Sequence, residues 1–307
     1  MDRRRIGSLD VSVVGLGCNN FGWRLNAAAT ERVVHGALDA GIDFFDTADI
    51  YGTGQSEEYL GRALGRKRSQ IVLATKFGMK MDDQRKGAKP EYVRRALDGS
   101  LQRLGTDVID LYQLHQPDPD VPIGDTLAVL DEAVKAGKVR EIGCSNFSPE
   151  QLREAEAAVG SGAARFVSVQ NEYSLFHREP ERGVLAECER QGLAFIPFFP
   201  LASGLLTGKY RKGRPLPKGT RIKPGQGRFA ELLSDESLDR VEKLIAFAES
   251  RGHTLLELAF GWLLARPVVA SVIAGATSAE QARANAGAAG WRLTAEDLAE
   301  IDRIVPA

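Results

Sequence analysis

Short apolar segments alternate with longer amphipathic segments along nearly the whole chain. Eight of the short segments are rich in β-branched or aromatic residues. Most of them are continuous apolar runs, which are typical of parallel strands buried on both faces. These predicted strands are residues 13–16, 42–45, 71–75, 108–114, 139–143, 166–169, 193–198 and 268–273.

Between the predicted strands, apolar residues recur at the spacing of one helical face. Thr30 is expected to cap the first helix, and Gly41 follows that helix as a stop signal. Six further helices are predicted at residues 57–64, 92–104, 126–134, 149–158, 182–191 and 241–250. An extra helix is predicted at residues 294–304, after the last strand.

This repeated strand–helix alternation predicts an α/β fold, a single (β/α)8 TIM barrel domain over residues 1–307. An N-terminal β-hairpin over residues 3–12 is expected to close the bottom of the barrel. The alternative is an open doubly wound sheet, which binds dinucleotides through a GxGxxG motif after its first strand. Here Gly15 and Gly17 are followed by Asn20 where the third glycine would stand, so the barrel is favoured.

The charge balance and the cysteines narrow the possible partners and compartment. The chain has 40 Lys and Arg against 41 Asp and Glu, so no overall positive field attracts nucleic acid or an anionic membrane. Cys18, Cys144 and Cys188 are far apart in sequence, which argues against a disulfide framework or a zinc site. Because the N-terminus also lacks the apolar run of a signal peptide, we expect a cytoplasmic protein.

One segment departs from this balance. Residues 203–229 are rich in Gly and Pro and carry eight cations and no acid. The cations are Lys209, Arg211, Lys212, Arg214, Lys218, Arg221, Lys223 and Arg228. Loops of this length inside a compact domain are usually functional or disordered. We expect most of these charges to be solvated.

Ionisable residues end three successive predicted strands. Asp46 ends the second strand, Lys76 the third and His115 the fourth, while Tyr51 follows Asp46 by five residues. Each residue alone has an ordinary structural explanation, such as capping a turn or meeting solvent. Because a barrel places its chemistry at the carboxyl ends of its strands, the four together predict an active site.

An ammonium group beside a phenol makes the phenol a better proton donor. A free tyrosine has a pKa near about 10. A cation about 4 Å away is worth up to about 4 kcal/mol at an effective dielectric of about 20, which lowers the phenol's pKa by up to about three. Such a phenol protonates an alkoxide near neutral pH. Asp46 is expected to hold Lys76, and His115 to hydrogen-bond the reacting carbonyl.

In this order and at these spacings, Asp46, Tyr51, Lys76 and His115 resemble the catalytic tetrad of the aldo-keto reductases. Further blocks that look like family signatures are DTADIYGTGQSEEYLGRAL, LQRLGTDVIDLYQLHQPD, GKVREIGCSNF, VQNEYSL, PLASGLLTGKY and IAGATSAEQARAN. The SGLLTGKY form is similar to the branch that includes bacterial reductases and potassium-channel β subunits.

The resemblance implies an NAD(P)H-dependent carbonyl reductase without a metal, in which Tyr51 supplies the proton. Ser145, Asn146 and Gln170 would bind the carboxamide of the nicotinamide, and Phe198 would stack on its ring. The pyrophosphate would lie along Phe199, Leu201, Ser203, Gly204 and Leu205, with Lys209 as a phosphate contact. The adenosine end would meet Gly275, Thr277, Ser278, Gln281 and Asn285.

The preference between NADP(H) and NAD(H) depends on this adenosine end. Thr277, Ser278 and Gln281 occupy positions that are commonly basic in NADP-specific family members. Ser278 and Gln281 also have the spacing of a helix capping box, and Arg283 is expected to face away from the cofactor. We therefore expect NADP(H) to bind with only a weak preference over NAD(H).

The resemblance implies a small carbonyl compound or alcohol as substrate. Trp23, Phe77 and Phe147 are candidates for the walls of the substrate site because each lies on a segment just beyond a predicted strand. Two related readings stay open, an NAD(P)-dependent sugar or polyol dehydrogenase and a slow-turnover NADP(H)-binding regulatory subunit. A metal-dependent hydrolase using Asp46, His115 and Asp118 is disfavoured because few other ligands occur at strand ends.

Overall fold

Eight parallel strands form a nearly closed barrel in the computed structural model, which describes residues 1–217, 220, 222 and 230–307. The strands are β3 (Val14–Gly17), β4 (Phe44–Asp46), β5 (Val72–Phe77), β6 (Ile109–Leu114), β7 (Val139–Ser145), β8 (Phe166–Glu172), β9 (Ala194–Phe198) and β10 (Val272–Gly275). They pair in chain order, and β10 pairs with β3. This confirms the predicted (β/α)8 barrel.

The barrel closes through the segment that precedes β10. The Phe195 N–H donates to the carbonyl of Val268 at 2.8 Å, and the Ala270 N–H donates to the carbonyl of Phe195 at 2.9 Å. Residues 268–270, predicted as the start of the eighth strand, therefore complete the ring beside β9. The regular part of that strand begins only at Val272.

The predicted N-terminal hairpin consists of β1 (Arg3–Ile6) and β2 (Leu9–Ser12). Ile6, Leu9 and Val11 are buried against apolar side chains that point into the barrel, including Phe44 and Ile196. The hairpin therefore covers one end of the barrel and leaves the carboxyl ends of the strands for the functional site.

Helices follow the strands around the outside of the barrel. They are α1 (Ala27–Asp39), α2 (Gln55–Leu64), α3 (Pro90–Leu104), α4 (Ile123–Lys135), α5 (Pro149–Ala157), α6 (Val184–Gln191), α7 (Asp235–Ser250), α8 (Leu255–Leu264), α9 (Ala279–Gly287) and α10 (Ala295–Ile304). Their buried faces pack on the outer faces of the strands in one large core. No helix in the described part of the chain is long and apolar enough to cross a membrane.

Two predicted helix starts need correction. Asn26, not Thr30, caps α1, because the Asn26 side chain accepts from the Ala29 N–H at 3.0 Å and Thr30 lies inside the helix. Ser278 caps α9 as predicted, but the Gln281 side chain accepts from the Thr277 N–H at 2.8 Å and does not close a box with Ser278. The α1 helix thus begins about one turn earlier than predicted, and in α9 the N–H and hydroxyl of Thr277 both donate to the Gln281 side-chain oxygen.

Candidate active site

The four predicted catalytic side chains converge at the carboxyl end of the barrel. Asp46 ends β4, Lys76 lies in β5 and His115 directly follows β6. Tyr51 lies in the turn that leaves β4, and its ring meets the His115 ring edge-on at a centroid distance of 5.8 Å. Lys76 Nζ lies 5.3 Å from the centre of the Tyr51 ring. The structure therefore brings all four side chains together.

A buried ion pair between Lys76 and Asp46 anchors this cluster. Lys76 Nζ donates to Asp46 Oδ2 at 2.6 Å and to the carbonyl of Thr47 at 2.9 Å. Asp46 Oδ1 accepts from Gln170 Nε2 at 2.9 Å and from Gln113 Nε2 at 3.3 Å. Burial opposes the charge of Lys76, but Asp46 and Tyr51 outweigh it and raise the pKa of the ammonium. The lysine is therefore charged and fixed in position.

Tyr51 does not have the lowered pKa that the sequence suggested. Burial raises the pKa of the phenol, the charge of Lys76 and its hydrogen bond lower it, and Asp46 raises it again, so that the net direction is upward. The expected net lowering is wrong because burial and the carboxylate together disfavour the phenolate more than Lys76 favours it. The phenol is therefore protonated at neutral pH, and Lys76 offsets part of the cost of its ionisation.

His115 is a neutral imidazole in this environment. Burial, followed by the charge of Lys76, lowers the pKa of His115 well below its ordinary value. Its Nδ1 is buried and has no hydrogen-bond partner among the described residues. The Asn146 side-chain N–H donates to the His115 carbonyl at 2.9 Å, and the His115 backbone N–H donates to the Phe77 carbonyl at 2.8 Å. These two bonds hold the His115 backbone in place.

The turn that carries Tyr51 is built from left-handed backbone. Gly52, Thr53 and Gly54 have φ values of 57°, 56° and 95°. A Cβ added to Gly52 would lie 3.1 Å from the backbone of Gly22, so glycine is required where this turn touches the loop after β3. The close contact fixes the position of the phenol relative to that loop.

Asp49, two residues before Tyr51, is a buried carboxyl in an environment that favours its protonated form. The Tyr92 hydroxyl donates to its Oδ2 at 3.4 Å, while its Oδ1 is buried and has no partner in the described part of the chain. Burial and the charge of Glu57 raise the pKa of Asp49 to about 7. Stability is therefore linked to the protonation of this residue.

The substitution Asp49→Asn is expected to remove a pH dependence of stability. An unfolded aspartate ionises near about pH 4, so up to about pH 7 the folded chain keeps a proton that the unfolded chain has lost. The wild type's free energy of unfolding should therefore fall as the pH rises through this window, and the variant's should fall less. Urea unfolding at about pH 5 and about pH 8 measures this difference. Equal losses in both proteins would contradict the assignment.

A cavity of about 720 Å³ lies beside the four side chains, and Asp46, Tyr51 and His115 form part of its wall. Most of the residues predicted to bind a cofactor also line it, and they follow β7 to β10. They are Ser145, Asn146, Gln170, Phe198, Phe199, Leu201, Ser203, Gly204, Lys209, Gly275, Thr277, Gln281 and Asn285. One continuous space therefore joins the tetrad to the ends of the last four strands, and its volume suits a small-molecule site.

The comparison with known proteins decides the family. The sequence model of the Aldo/keto reductase family matches residues 13–306, nearly the whole chain.

The chain belongs to the aldo/keto reductase family.

Individual relatives agree with this assignment. The chain is 35% identical to aldo-keto reductase YhdN of Bacillus subtilis, covering 97% of this chain and 91% of that protein. It is 33% identical to the aldo-keto reductase yakc [NADP(+)] of Schizosaccharomyces pombe, covering 97% and 89%. The structure of the glycerol dehydrogenase AKR11B4 from Gluconobacter oxydans is similar, with a TM-score of 0.86, 31% identity, and coverage of 99% and 94%.

The chain is accordingly an NAD(P)H-dependent oxidoreductase that acts on small-molecule carbonyl compounds. This agrees with the function class that the tetrad and the sequence blocks predicted.

Several predicted site residues of this aldo/keto reductase do not line the cavity. Phe77 is fully buried and stacks on Tyr112, with ring centroids 4.8 Å apart, and Phe147 packs edge-on against Phe166. Leu205 is also buried in the core. The substrate roles of Phe77 and Phe147 are not kept, because both side chains are buried and neither lines the cavity.

Two other predicted site residues, Ser278 and Trp23, also lie outside the cavity wall. Ser278 does not line the cavity, because its hydroxyl caps α9. Trp23 is 65% exposed and does not line the cavity, although its neighbour Arg24 does. Arg283 pairs with Glu280 at 3.1 Å and, as expected, is not part of the wall.

Part of the cavity wall consists of residues that were not predicted from the sequence. Asn19, Asn20, Arg24, Met79, Gln116, Thr207, Leu256 and Ala284 line the cavity without having been predicted. Most of them lie in loops or on an outer helix, where no local pattern in a single sequence marks a site. Asn19, Asn20, Met79 and Gln116 lie just beyond strand ends, and this position is the signal that the sequence offered.

Two cations near the start of the basic segment form ion pairs and are not simply solvated, although the sequence suggested solvation. Arg211 forms a bidentate ion pair with the Glu242 carboxylate on α7, and its shortest N–O distance is 2.7 Å. Lys212 Nζ donates to Asp239 Oδ1 at 2.6 Å. Acids from another part of the chain therefore balance these two cations. Four predicted solvated cations, Lys218, Arg221, Lys223 and Arg228, lie outside the described residues.

Within residues 1–217, 220, 222 and 230–307, no group of three or more His, Cys, Asp or Glu is placed to hold a metal ion. Asp118, which the hydrolase alternative required, accepts from the backbone N–H groups of Ala88 at 2.8 Å and Asp120 at 3.0 Å. Its carboxylate thus supports a loop.

Proposed function

We propose that this protein reduces aldehydes or ketones to alcohols with NADPH or NADH, and that Tyr51 donates the proton. The observation that carries the proposal is the position of the Tyr51 ring, which meets both the charged Lys76 and the neutral His115 at the wall of the cavity. A protonated phenol, a fixed cation and a neutral imidazole are the groups that proton transfer to a reacting carbonyl requires.

The residues beside the tetrad fit a nicotinamide. Ser145 Oγ donates to the Gln170 carbonyl at 2.7 Å, and Asn146 Nδ2 donates to Ser145 Oγ at 3.1 Å. Gln170 uses its side-chain N–H on Asp46. The amide oxygens of Asn146 and Gln170 are therefore available as acceptors for a carboxamide N–H, while Phe198 offers an aromatic face.

The turn after β9 fits a pyrophosphate. Phe199, Ala202, Ser203 and Gly204 have φ values of 51°, 45°, 57° and 97°, a run of left-handed backbone of the kind that directs N–H groups toward an anion. Ser203 Oγ is buried and has no hydrogen-bond partner among the described residues. A Cβ on Gly204 would lie 2.9 Å from Lys209 Nζ, so this glycine lets the lysine lie across the turn.

In the proposed reaction the bound nicotinamide supplies the hydride. His115 positions the carbonyl oxygen, and since Nδ1 is buried, Nε2 is the ring nitrogen that can meet the substrate. Tyr51 gives its proton to the oxygen as negative charge develops there. Lys76 stabilises the resulting phenolate, and Asp46 keeps the ammonium charged and in place. The two glutamine N–H groups on Asp46 fix the carboxylate in turn.

We expect NADPH to be preferred over NADH by much less than several hundredfold. No cation on residues 275–285 lines the cavity, because Arg283 pairs with Glu280. The 2′-phosphate of NADPH would meet the N-terminus of α9 and neutral side chains such as Gln281, which bind it weakly. Titrating protein fluorescence with each cofactor gives the two dissociation constants. A ratio of several hundredfold or more in favour of NADPH would contradict this proposal.

The opposite physiological direction is a second candidate. The similar structure from Gluconobacter oxydans is that of a glycerol dehydrogenase, and this name supports polyol oxidation as the alternative. The same side chains serve this direction, since a Tyr51 phenolate beside Lys76 would accept the alcohol proton. Turnover of an aldehyde, a ketone and a sugar with NADPH and NADH, compared with glycerol and NADP⁺ or NAD⁺, separates the two. Turnover of none of these compounds would count against both.

A further inference from the structure

Arg24 contributes a cation to the cavity wall that the proposed reaction does not use. Its guanidinium lies over the Trp23 ring, 4.7 Å from the ring centre. In the described part of the chain it has no hydrogen bond or ion pair with another side chain. Arg24 and Trp23 are both exposed, and a cation–π contact at an exposed site is weak, but it favours one orientation of the guanidinium and leaves its N–H groups available to a ligand.

The loop that carries Arg24 runs from the β10 side of the cavity to the Tyr51 side. Asn20 Nδ2 donates to the Ala276 carbonyl at 3.3 Å, next to β10. Gly22 touches the turn that carries Tyr51, since a Cβ on Gly52 would lie 3.1 Å from its backbone. Arg24 follows Gly22 by two residues in this same loop, and its backbone N–H donates to the Asn20 carbonyl at 2.9 Å.

The described part of the cavity wall offers no free counterion to Arg24. Among the lining residues that the structure describes, Asp46 is the one carboxylate, and it is buried and committed to Lys76 and two glutamines. Lys209, the other lining cation, lies across the turn after β9, where a pyrophosphate is proposed to bind. Arg24 thus adds to the described cavity wall a cation that no available lining carboxylate balances, in a fork geometry that matches carboxylate and phosphate.

We infer that Arg24 binds an anionic group of the carbonyl substrate, a carboxylate or a phosphate, and that Trp23 positions Arg24 for this contact. The inference rests on the proposed function and specifies its substrate class. It makes Arg24 a specificity residue, since it contacts the charge at the far end of the substrate and leaves the reacting carbonyl to Tyr51 and His115.

The test compares benzaldehyde with 4-carboxybenzaldehyde and 4-formylphenyl phosphate, which share one aldehyde and ring and differ in charge. Wild type should show a higher kcat/KM for one or both anions than for benzaldehyde. Arg24→Met should lower kcat/KM for the preferred anion by about 10- to 100-fold, the range of a charged hydrogen bond, and leave benzaldehyde nearly unchanged. The two anions distinguish carboxylate from phosphate recognition.

Two control variants sharpen the test. Arg283→Met makes the same change of charge on an arginine outside the cavity wall and should leave all three rates unchanged. Trp23→Leu keeps the cation but removes its support, and should raise KM for the anion with little change in kcat.

The inference fails if Arg24→Met lowers all three rates equally, if it changes none of them, or if it weakens NADPH binding about tenfold, which would assign Arg24 to the cofactor. Failure of the proposed function is different, since benzaldehyde would then not be reduced by any form. Calorimetric binding of 4-carboxybenzaldehyde to wild type and to Arg24→Met tests the anion contact even in that case. Weaker binding by the variant supports the contact and equal binding overturns it.

Discussion

Replacing Tyr51 with phenylalanine is expected to lower the rate of carbonyl reduction by about 100- to 10,000-fold, the contribution that a positioned general acid makes. The variant loses one hydroxyl and keeps the ring that meets His115 edge-on and lies 5.3 Å from Lys76 Nζ. The shape of the cavity should therefore be kept. Steady-state turnover of benzaldehyde with NADPH measures the loss.

The same substitution should leave cofactor binding almost intact. The residues proposed to hold the nicotinamide and the pyrophosphate follow β7, β8 and β9, whereas Tyr51 follows β4. Fluorescence titration with NADPH should therefore give similar dissociation constants for both proteins. Tyr59→Phe removes the same hydroxyl from a tyrosine outside the cavity wall and is the matched control. Turnover like that of wild type in Tyr51→Phe would refute the role of Tyr51.

Replacing Lys76 with methionine is expected to impair reduction as severely as the loss of the phenol. The ammonium lowers the pKa of Tyr51 through its charge and a hydrogen bond, against burial and Asp46, which raise it. Without the cation both opposing effects remain, so the phenolate that follows proton transfer becomes more costly. The rate should fall at neutral pH with a smaller change in KM, because Lys76 is fully buried and does not contact the cavity.

Removing this cation also threatens folding, since Asp46 would be left as a buried, uncompensated charge. Breaking a buried ion pair by removing one partner typically costs about 3–5 kcal/mol. The double variant Lys76→Met, Asp46→Asn removes both charges and separates the two effects. We expect it to recover stability in urea unfolding but not activity. Recovery of activity in the double variant would show that the cation has no role in tuning Tyr51.

The fold was predictable because strand and helix periods dominate the sequence. Buried parallel strands give continuous apolar runs, and the outer helices give amphipathic ones, so each element carries its own signal. The sequence pattern does not predict α8, because this helix is apolar around nearly its whole circumference, as a buried helix is, and so shows no amphipathic spacing. Asn26 was missed as a cap because Thr30 offers the same chemistry one turn later.

The convergence of the tetrad was predictable for a topological reason. The order of strands in a barrel puts Asp46, Lys76 and His115 on adjacent strand ends, whatever the detailed packing. The direction of a side chain beyond a strand end is not fixed in this way. Phe77 ends β5 and Phe147 lies just beyond β7, yet both rings are buried, whereas Arg24, which is further from the end of β3, lines the cavity. The contacts of neighbouring loops decide this, and they involve residues far apart in sequence.

The direction of the pKa shift of Tyr51 also could not be predicted from the sequence alone. The sequence places a cation near the phenol, and this effect is present in the structure as expected. The sequence gives no measure of how deeply the Tyr51 ring is buried, because burial depends on all the residues packed around the ring. Burial is the largest influence on the phenol, so the sign of the net shift required the structure.

We propose that Tyr51 donates the proton within a cavity that holds NADPH beside it. A single-turnover experiment tests it most directly: protein loaded with one equivalent of NADPH is mixed rapidly with excess benzaldehyde, and the NADPH absorbance is followed. We expect rapid loss of this absorbance in wild type and in Tyr59→Phe, and persistence of bound NADPH in Tyr51→Phe. Equally rapid loss in Tyr51→Phe, with NADPH bound as tightly as in wild type, would contradict it.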